Sequence, residues 1–493
     1  MIRNKSLTVF LPLLAFSILG FAVMGYHPGA EDDGVYLTAV KADLRPALFP
    51  HDSDFFRVQL QATQFDGWMA HFVHITGIPV AWAELTWQFV SIFLILWACY
   101  NIAEQIFTEK RAQWAAVAMV SAMFTLPVAG TALYLVDQHL HPRALATALI
   151  LVAVSRILAG KRWMALPLLV VATLLHPIMG VLGVSFCCFL TLSSLELMPV
   201  RLRTVADTVA SVAVMPLGWI FESPTADWRQ ALNTRSYFFL SRWTWYEWLG
   251  AIAPPILFWL LWRIADKRGE TKLARVSLAL VAYGIFQMLV AVVVLGIPAL
   301  ERLTPMQPMR FLHLIYVFLC LVGGGLMGKY LLNAKVWRWA VFLLLANGGM
   351  FFAQRQLFAG TEHLELPSQA TANPWLQAFD WIRQNTPENA YFVLDPQYMA
   401  APGEDYHSFR ALAERSMLSD AVKDTAVVSQ VPRLAPVWHD QQTAMTGFDQ
   451  FKLADFERLK TQFGVNWAMV SYPPPAGLSC RWHNGALSVC EIP

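Results

Sequence analysis

The sequence predicts a polytopic α-helical membrane protein, with about eleven transmembrane helices and a C-terminal extracytoplasmic α/β domain. Three observations carry that expectation. Of 493 residues, 56% are hydrophobic and only 14% are charged, against about 25% in an ordinary soluble domain. Apolar stretches of spanning or near-spanning length recur up to residue 353. Beyond residue 369 the pattern changes to short helical and strand-like segments separated by turn residues. Water is therefore excluded as the solvent for most of the chain, whose mean hydropathy is +0.45. A formal net charge of +2 is too balanced to point to nucleic acid or to a strongly acidic partner.

The first stretch, 7 to 25, follows Arg3 and Lys5 and could be read as a signal peptide. It reaches the roughly 20 residues a span needs and lacks a small-x-small cleavage site, which favours an uncleaved helix. The others lie at 81 to 102, 112 to 133, 143 to 159, 163 to 176, 178 to 197, 203 to 221, 245 to 264, 274 to 296, 309 to 328 and 336 to 353. His176-Pro177 divides one long apolar block, and charge decides between one helix and two. Two short helices put Lys110, Arg111, Lys161, Arg162, Arg201, Arg203, Arg263, Lys267, Arg268, Lys272, Arg275, Lys329, Lys335 and Arg338 on the side of Arg3 and Lys5. One helix would invert every later loop and break the positive-inside pattern, so the N-terminus is expected in the cytoplasm and the C-terminus outside. The transmembrane domain is then 1–360 with a large first outer loop, 26–80, and the outer domain is 361–493.

Within the outer domain, Trp375, Phe379 and Ile382 have helical spacing in a helix from Pro374 to Gln384. A strand from Ala390 to Leu394 follows, then a helix near Leu453 to Phe463 that passes through Gly464 into a strand from Val465 to Ser471. Asn484-Gly485 predicts a hairpin over Ser479 to Glu491. Cys480 and Cys490 flank it and could form a disulfide or remain thiols, whereas Cys99, Cys187, Cys188 and Cys320 read as small apolar residues.

The outer loops carry the chemistry. Glu31-Asp32-Asp33-Gly34 follows the first helix, and three adjacent carboxylates require a raised pKa or a nearby cation. They suit a general base or a metal-ligand set, while the plainer reading is an acidic turn at a helix end. No motif calls for a cofactor, and a divalent cation at these carboxylates is the one candidate. In Pro50-His51-Asp52-Ser53-Asp54, His51 and Asp52 could face that cluster, although Ser53 or Asp54 also makes an ordinary helix cap. His139 and His141 could bind a metal but read more simply as polar loop residues. In the outer domain, Asp420, Lys423, Asp424 and the Trp438-His439-Asp440 stretch are the candidates for acceptor contacts, with a surface or structural role as the plainer reading.

This layout resembles the GT-C superfamily of polyprenyl-phosphate-dependent membrane glycosyltransferases. The stretch Ala39 to Phe56, His176-Pro177 and Gln307-Pro308-Met309-Arg310 look like those of a bacterial branch of it. The resemblance covers the architecture of the whole chain, but its motifs are short. It implies that Asp32 or Asp33, with Glu31 adjacent, activates the acceptor. A sugar would move from a polyprenyl-phosphate donor to a glycan, lipid or protein acceptor on the outer face of the bacterial inner membrane. Arg302 and Arg310 would hold the phosphate, with Gln307, His176, His51 and Asp52 as further substrate contacts. Arg235 and Arg242, among Tyr237, Phe238, Phe239, Trp243 and Trp245, would flank an isoprenoid groove, or else belong to an interfacial aromatic belt. No Trp-Trp-Asp sequence of the oligosaccharyltransferase kind is present, which argues against transfer of a preassembled glycan to asparagine. Two alternatives stay open: a flippase or transporter of lipid-linked sugars, which predicts mid-membrane ionisable residues and internal repeats, and a non-catalytic subunit of a glycan-assembly complex.

Overall fold

A computed structural model describes residues 2–193 and 224–493. The expected helix at 203–221, with Arg201, Arg203 and Glu222, lies outside the described residues, as do the side chains of Arg3 and Lys5. Among the described residues, six helices are long and apolar enough to cross a membrane. They are α1 (Ile2–Met24, apolar from Leu7), α5 (Val80–Ile106), α11 (Trp245–Lys267), α12 (Thr271–Gly296), α13 (Leu312–Met327, extended by flanking turns to 308–332) and α14 (Val336–Leu357). The first outer loop folds as three helices, α2 (Asp33–Leu44), α3 (Asp54–Leu60) and α4 (Phe65–Thr76).

Four further expected spans are short, three of them below the length of a bilayer crossing and the 17-residue one at its lower limit. These are α6 (Lys110–Ala122), α7 (Pro142–Leu158), α8 (Ala165–Leu175) and α9 (Pro177–Leu192). The stretch 112 to 133 is helical only to Ala122, because Pro127 and Gly130 divert the rest into a two-stranded ribbon, β1 (Pro127–Val128) against β2 (Leu133–Tyr134). Gly130 has φ of +62°, and a Cβ there would stand 2.4 Å from the Trp243 ring. His176-Pro177 does separate two helices. At both His141-Pro142 and His176-Pro177 the proline occupies the first helical turn and the imidazole Nδ1 accepts a backbone N–H, from Arg143 at 2.9 Å and from Met179 at 3.3 Å.

Leu344, Leu345 and Phe352 project from α14 at 66 to 72% exposure, an apolar face that hydrocarbon would cover. Basic residues meet at one end of the helices, where Arg268 reaches Tyr330, Lys329 pairs with Glu270 and Lys272 reaches Gln105. The acidic loop and the C-terminal domain meet at the other.

The C-terminal domain holds a five-stranded mixed sheet in the order β4-β3-β5-β7-β6. The strands are β3 (Tyr391–Val393), β4 (Ser416–Met417), β5 (Trp467–Ser471), β6 (Ser479–His483) and β7 (Leu487–Glu491). Strand β3 runs parallel to β4 and β5, while β7 is antiparallel to β5 and β6. Phe379 and Ile382 of α15 (Pro374–Asn385) pack on one face of the sheet, and Phe456 and Leu459 of α19 (Leu453–Phe463) on the other. Gly464 ends α19 in the left-handed conformation, and Cys480 and Cys490 form a disulfide across the hairpin.

Between sheet and membrane helices lie α16 (Phe409–Ala413), α17 (Asp424–Gln430) and α18 (Ala435–Ala444), with α10 (Ala226–Asn233) against them. Phe55, Trp228, Val427, Val428 and Trp438 form one apolar layer that joins the first outer loop to the C-terminal domain. Lys41 pairs with Glu414 at 2.9 Å across the same junction.

Candidate active site at the acidic loop

The backbone after α1 is tied on both sides. Tyr26 pairs with Leu364 and Ala30 with His407 as isolated β-bridges, and the Glu31 N–H donates to the Tyr406 carbonyl at 2.9 Å. Glu31 takes φ of +53° and Asp33 opens α2, so Asp33 points away from the other two carboxylates. Asp33 is buried and accepts the Gly29 N–H at 2.6 Å. Burial raises its pKa, and the nearby Glu84 carboxyl shares that buried ground.

Glu31 and Asp32 turn the other way, onto Lys423 of the C-terminal domain. The ammonium donates to Glu31 Oε2 and, at 3.1 Å, to Asp32 Oδ1. Asp32 Oδ2 lies 3.7 Å from His141 Nε2. Because His141 Nδ1 accepts the Arg143 N–H, its Nε2 carries the hydrogen and faces the carboxylate. Burial and the Arg143 guanidinium hold the His141 pKa down at about 4, so the ring is neutral at pH 7. For Asp32, burial favours the neutral acid, but Lys423, His141 and Arg143 outweigh it and hold the carboxyl well below its usual range. Its side chain is nevertheless 41% exposed.

That exposure is to a cavity of about 570 Å³, whose lining includes Asp32, Asp137, His139, Arg143, Tyr237 and Tyr316. Arg143 binds Asp137 through Nη2 at 2.6 Å and Nε at 3.2 Å, which leaves its buried Nη1 without a hydrogen-bond partner among the described residues. Both nitrogens of His139 are likewise buried and unpartnered. The cavity thus joins an ionised carboxylate to donors that lack acceptors, a set suited to a hydroxyl nucleophile and an anionic leaving group.

The other expected site residues divide. His176 belongs with the cluster, its ring 5.7 Å from that of His141. Arg310 donates to Gln307 at 2.7 Å, lines a narrow recess with Gly130 and Tyr237, and lies within electrostatic reach of Asp32 and Arg143. Arg302 stacks over Trp228 at 5.2 Å, and Arg235 donates to Thr425 at 2.8 Å near Lys423.

His51 and Asp52 face the C-terminal domain instead of the acidic cluster. His51 stacks on Tyr391 with ring centroids 4.4 Å apart, and Asp52 accepts from Tyr391 and, at 3.0 Å, from Gln441. Asp54 completes an Asp-x-Asp spacing with Asp52 but points to Arg433 at 3.7 Å, so the pair ties the loop down. Arg242 binds Asn233 at 2.6 and 3.0 Å and stacks on Phe239 at 4.3 Å; its donors already have partners in its own segment.

Sequence reasoning passed over Arg143 and Asp137 as site residues, and it weighed Lys423 only as an acceptor contact. The recurrence of His-Pro at two helix starts was the available signal for the first pair, since two such caps can stand side by side.

No family model and no curated protein matches the chain. Among solved structures, the chain is similar to the cryo-EM structure of the arabinofuranosyltransferase AftD from mycobacteria, with a TM-score of 0.47 and 13% sequence identity. The alignment covers 98% of this chain and 39% of AftD, so the chain spans about two-fifths of that protein's length.

Proposed function

We propose that this chain is a membrane glycosyltransferase of the GT-C type, which moves a sugar from a polyprenyl-phosphate donor to an acceptor on the outer face of a bacterial inner membrane. The observation that carries the reading is Asp32, ionised and open with Glu31 to the cavity, while Asp33 is enclosed and His141 and Arg143 face Asp32 alone of the three carboxylates. In the transfer, an acceptor oxygen bonds to the anomeric carbon as the bond from that carbon to the phosphate oxygen breaks. Asp32 takes the hydroxyl proton, and polyprenyl phosphate leaves with the electron pair. The free Nη1 of Arg143, with Arg310, meets the phosphate. The low pKa makes Asp32 a weak base, which suits a proton transferred late, after the new bond has made the hydroxyl strongly acidic.

The disulfide and the clustering of basic residues at the opposite end of the helices support an outer location for the domain. A divalent cation at Glu31 and Asp32 would have to displace the Lys423 ammonium, which already supplies positive charge between them. The test is donor turnover by the detergent-purified chain with a panel of polyprenyl-phosphate pentoses and hexoses, with and without chelator. Asp32→Asn should lower turnover by about 10²- to 10⁴-fold with folding intact. Turnover equal to that of the wild type would end the assignment of the base. Donor binding without turnover in any combination would end the transferase reading.

A further inference from the structure

A second cluster lies beneath the acidic loop, built from three distant parts of the chain. His27 follows α1, Glu365 lies in the connection to the C-terminal domain, and His407 is in the loop before α16. His27 Nδ1 is 2.7 Å from Glu365 Oε1, and His407 Nε2 is 3.0 Å from Glu365 Oε2. One ligand atom from each residue lies within 4.8 Å of the others. Both imidazoles are fully buried, and the carboxylate is 11% exposed.

The hydrogen-bond geometry defines what this cluster requires. His407 Nδ1 is 2.9 Å from the Glu404 carbonyl, which can only accept, so Nδ1 carries a hydrogen. In the neutral ring, Nε2 then directs a lone pair at a carboxylate oxygen, and two acceptors face each other unless a cation stands between them. A carbonyl behind the distal nitrogen is also the usual support of a metal-bound histidine. Tetrahedral zinc, with bonds of about 2.0 to 2.1 Å, separates its ligand atoms by about 3.3 Å. The observed spacings, 3.0 Å for His407 and 2.7 Å for His27, each to its own oxygen of Glu365, are about 0.3 and about 0.6 Å shorter than that value, so the ligands would move apart slightly on binding the ion. His27 is fixed by stacking on Phe358 at 3.8 Å, and its backbone N–H donates to Gln138 at 2.8 Å. Glu365 also borders a cleft of about 150 Å³ beside Pro28 and Leu412, which brings solvent to the carboxylate side of the cluster.

We propose that His27, Glu365 and His407 bind a divalent transition-metal ion of the zinc class, which fastens the acidic loop to the connection and to the C-terminal domain. Two imidazoles and one carboxylate are a zinc ligand set, and calcium or magnesium would demand more oxygen. The ion lies four residues before Glu31 and directly beside the Ala30–His407 bridge, so it would set the path of the segment that presents Asp32. Its role is structural and does not depend on the proposed transfer reaction.

The test uses the full chain in detergent, without a polyhistidine tag, and reads metal content and unfolding temperature. About one zinc per chain is expected, with a chelator lowering the unfolding temperature and added zinc restoring it. Glu365→Gln and His407→Gln should each lose nearly all of the metal. If those variants do not fold, X-ray absorption of the zinc-loaded wild type decides, and a shell of two imidazoles and one carboxylate is expected. Wild type that takes up no zinc, variants that fold and keep their metal, or a shell without two imidazoles would overturn the proposal. The first of these results would leave a proton as the cation between His407 and Glu365.

Discussion

Lys423→Met isolates the electrostatic core of the proposed site. The ammonium lies 3.1 Å from Asp32 Oδ1, a separation worth about 5 kcal/mol in a medium of effective dielectric constant near 20. Two features reduce that figure. The Asp32 side chain is 41% exposed, and Glu31 shares the same ammonium, so about 1.4 to 3 kcal/mol is a realistic remainder, equal to about one to two pK units. His141 and Arg143 remain in the variant and keep part of the depression. The sign follows from the direction of the shift: a depressed carboxyl pKa keeps Asp32 charged as pH falls, and the charge is lost only below the ordinary value of 3.8. Wild-type donor turnover should therefore hold its rate through mildly acidic pH. In Lys423→Met the acid limb should move up by about one to two pH units. The assay is a pH–rate profile of donor consumption for both proteins, with Asp32→Asn as the inactive reference. An acid limb at the same pH in both would refute the reasoning, because Lys423 would then not hold the reacting carboxylate.

Three further outcomes follow from the geometry. Asp33→Ala leaves the Gly29 N–H without its acceptor and should reduce thermal stability by about 1 to 3 kcal/mol, yet lower turnover far less than Asp32→Asn; melting curves with activity assays check the split. Gly34→Ala places a Cβ 2.4 Å from Ser408 Cβ, between the acidic loop and the C-terminal domain, and should cost about 1 to 3 kcal/mol, read as a lower unfolding temperature. The double substitution Cys480→Ser with Cys490→Ser opens a short covalent loop and should cost the C-terminal domain about 2 to 3 kcal/mol, measurable as greater sensitivity to protease.

The local architecture was legible where neighbours in sequence settle it. Hydropathy found α1, α5 and α11 to α14; proline and glycine marked the break at His176-Pro177 and the end of α19; and Asn484-Gly485 marked the hairpin. The same signal overreached at 112 to 133, since an apolar run can line a protein cavity as readily as it can cross lipid, and Pro127 and Gly130 favour the former. The acidic motif was visible as a candidate site, but the different settings of its carboxylates were not. Adjacent carboxylates look alike in a sequence, and only the fold turns Asp33 inward to Gly29 and Asp32 outward to the cavity.

What the sequence determined by itself was therefore the material of this protein: its lipid-compatible helices, the side on which its basic residues gather, and a carboxylate-rich first loop. Tertiary structure alone decided which groups meet. Lys423 reaches Asp32 across nearly four hundred residues, and His407 meets His27 over a similar distance. Such pairings depend on how the C-terminal domain docks on the first outer loop through Phe55, Trp228 and Val427. Ion pairs and hydrogen bonds act over a few ångströms of space, and sequence order carries no measure of that distance until the chain has closed on itself.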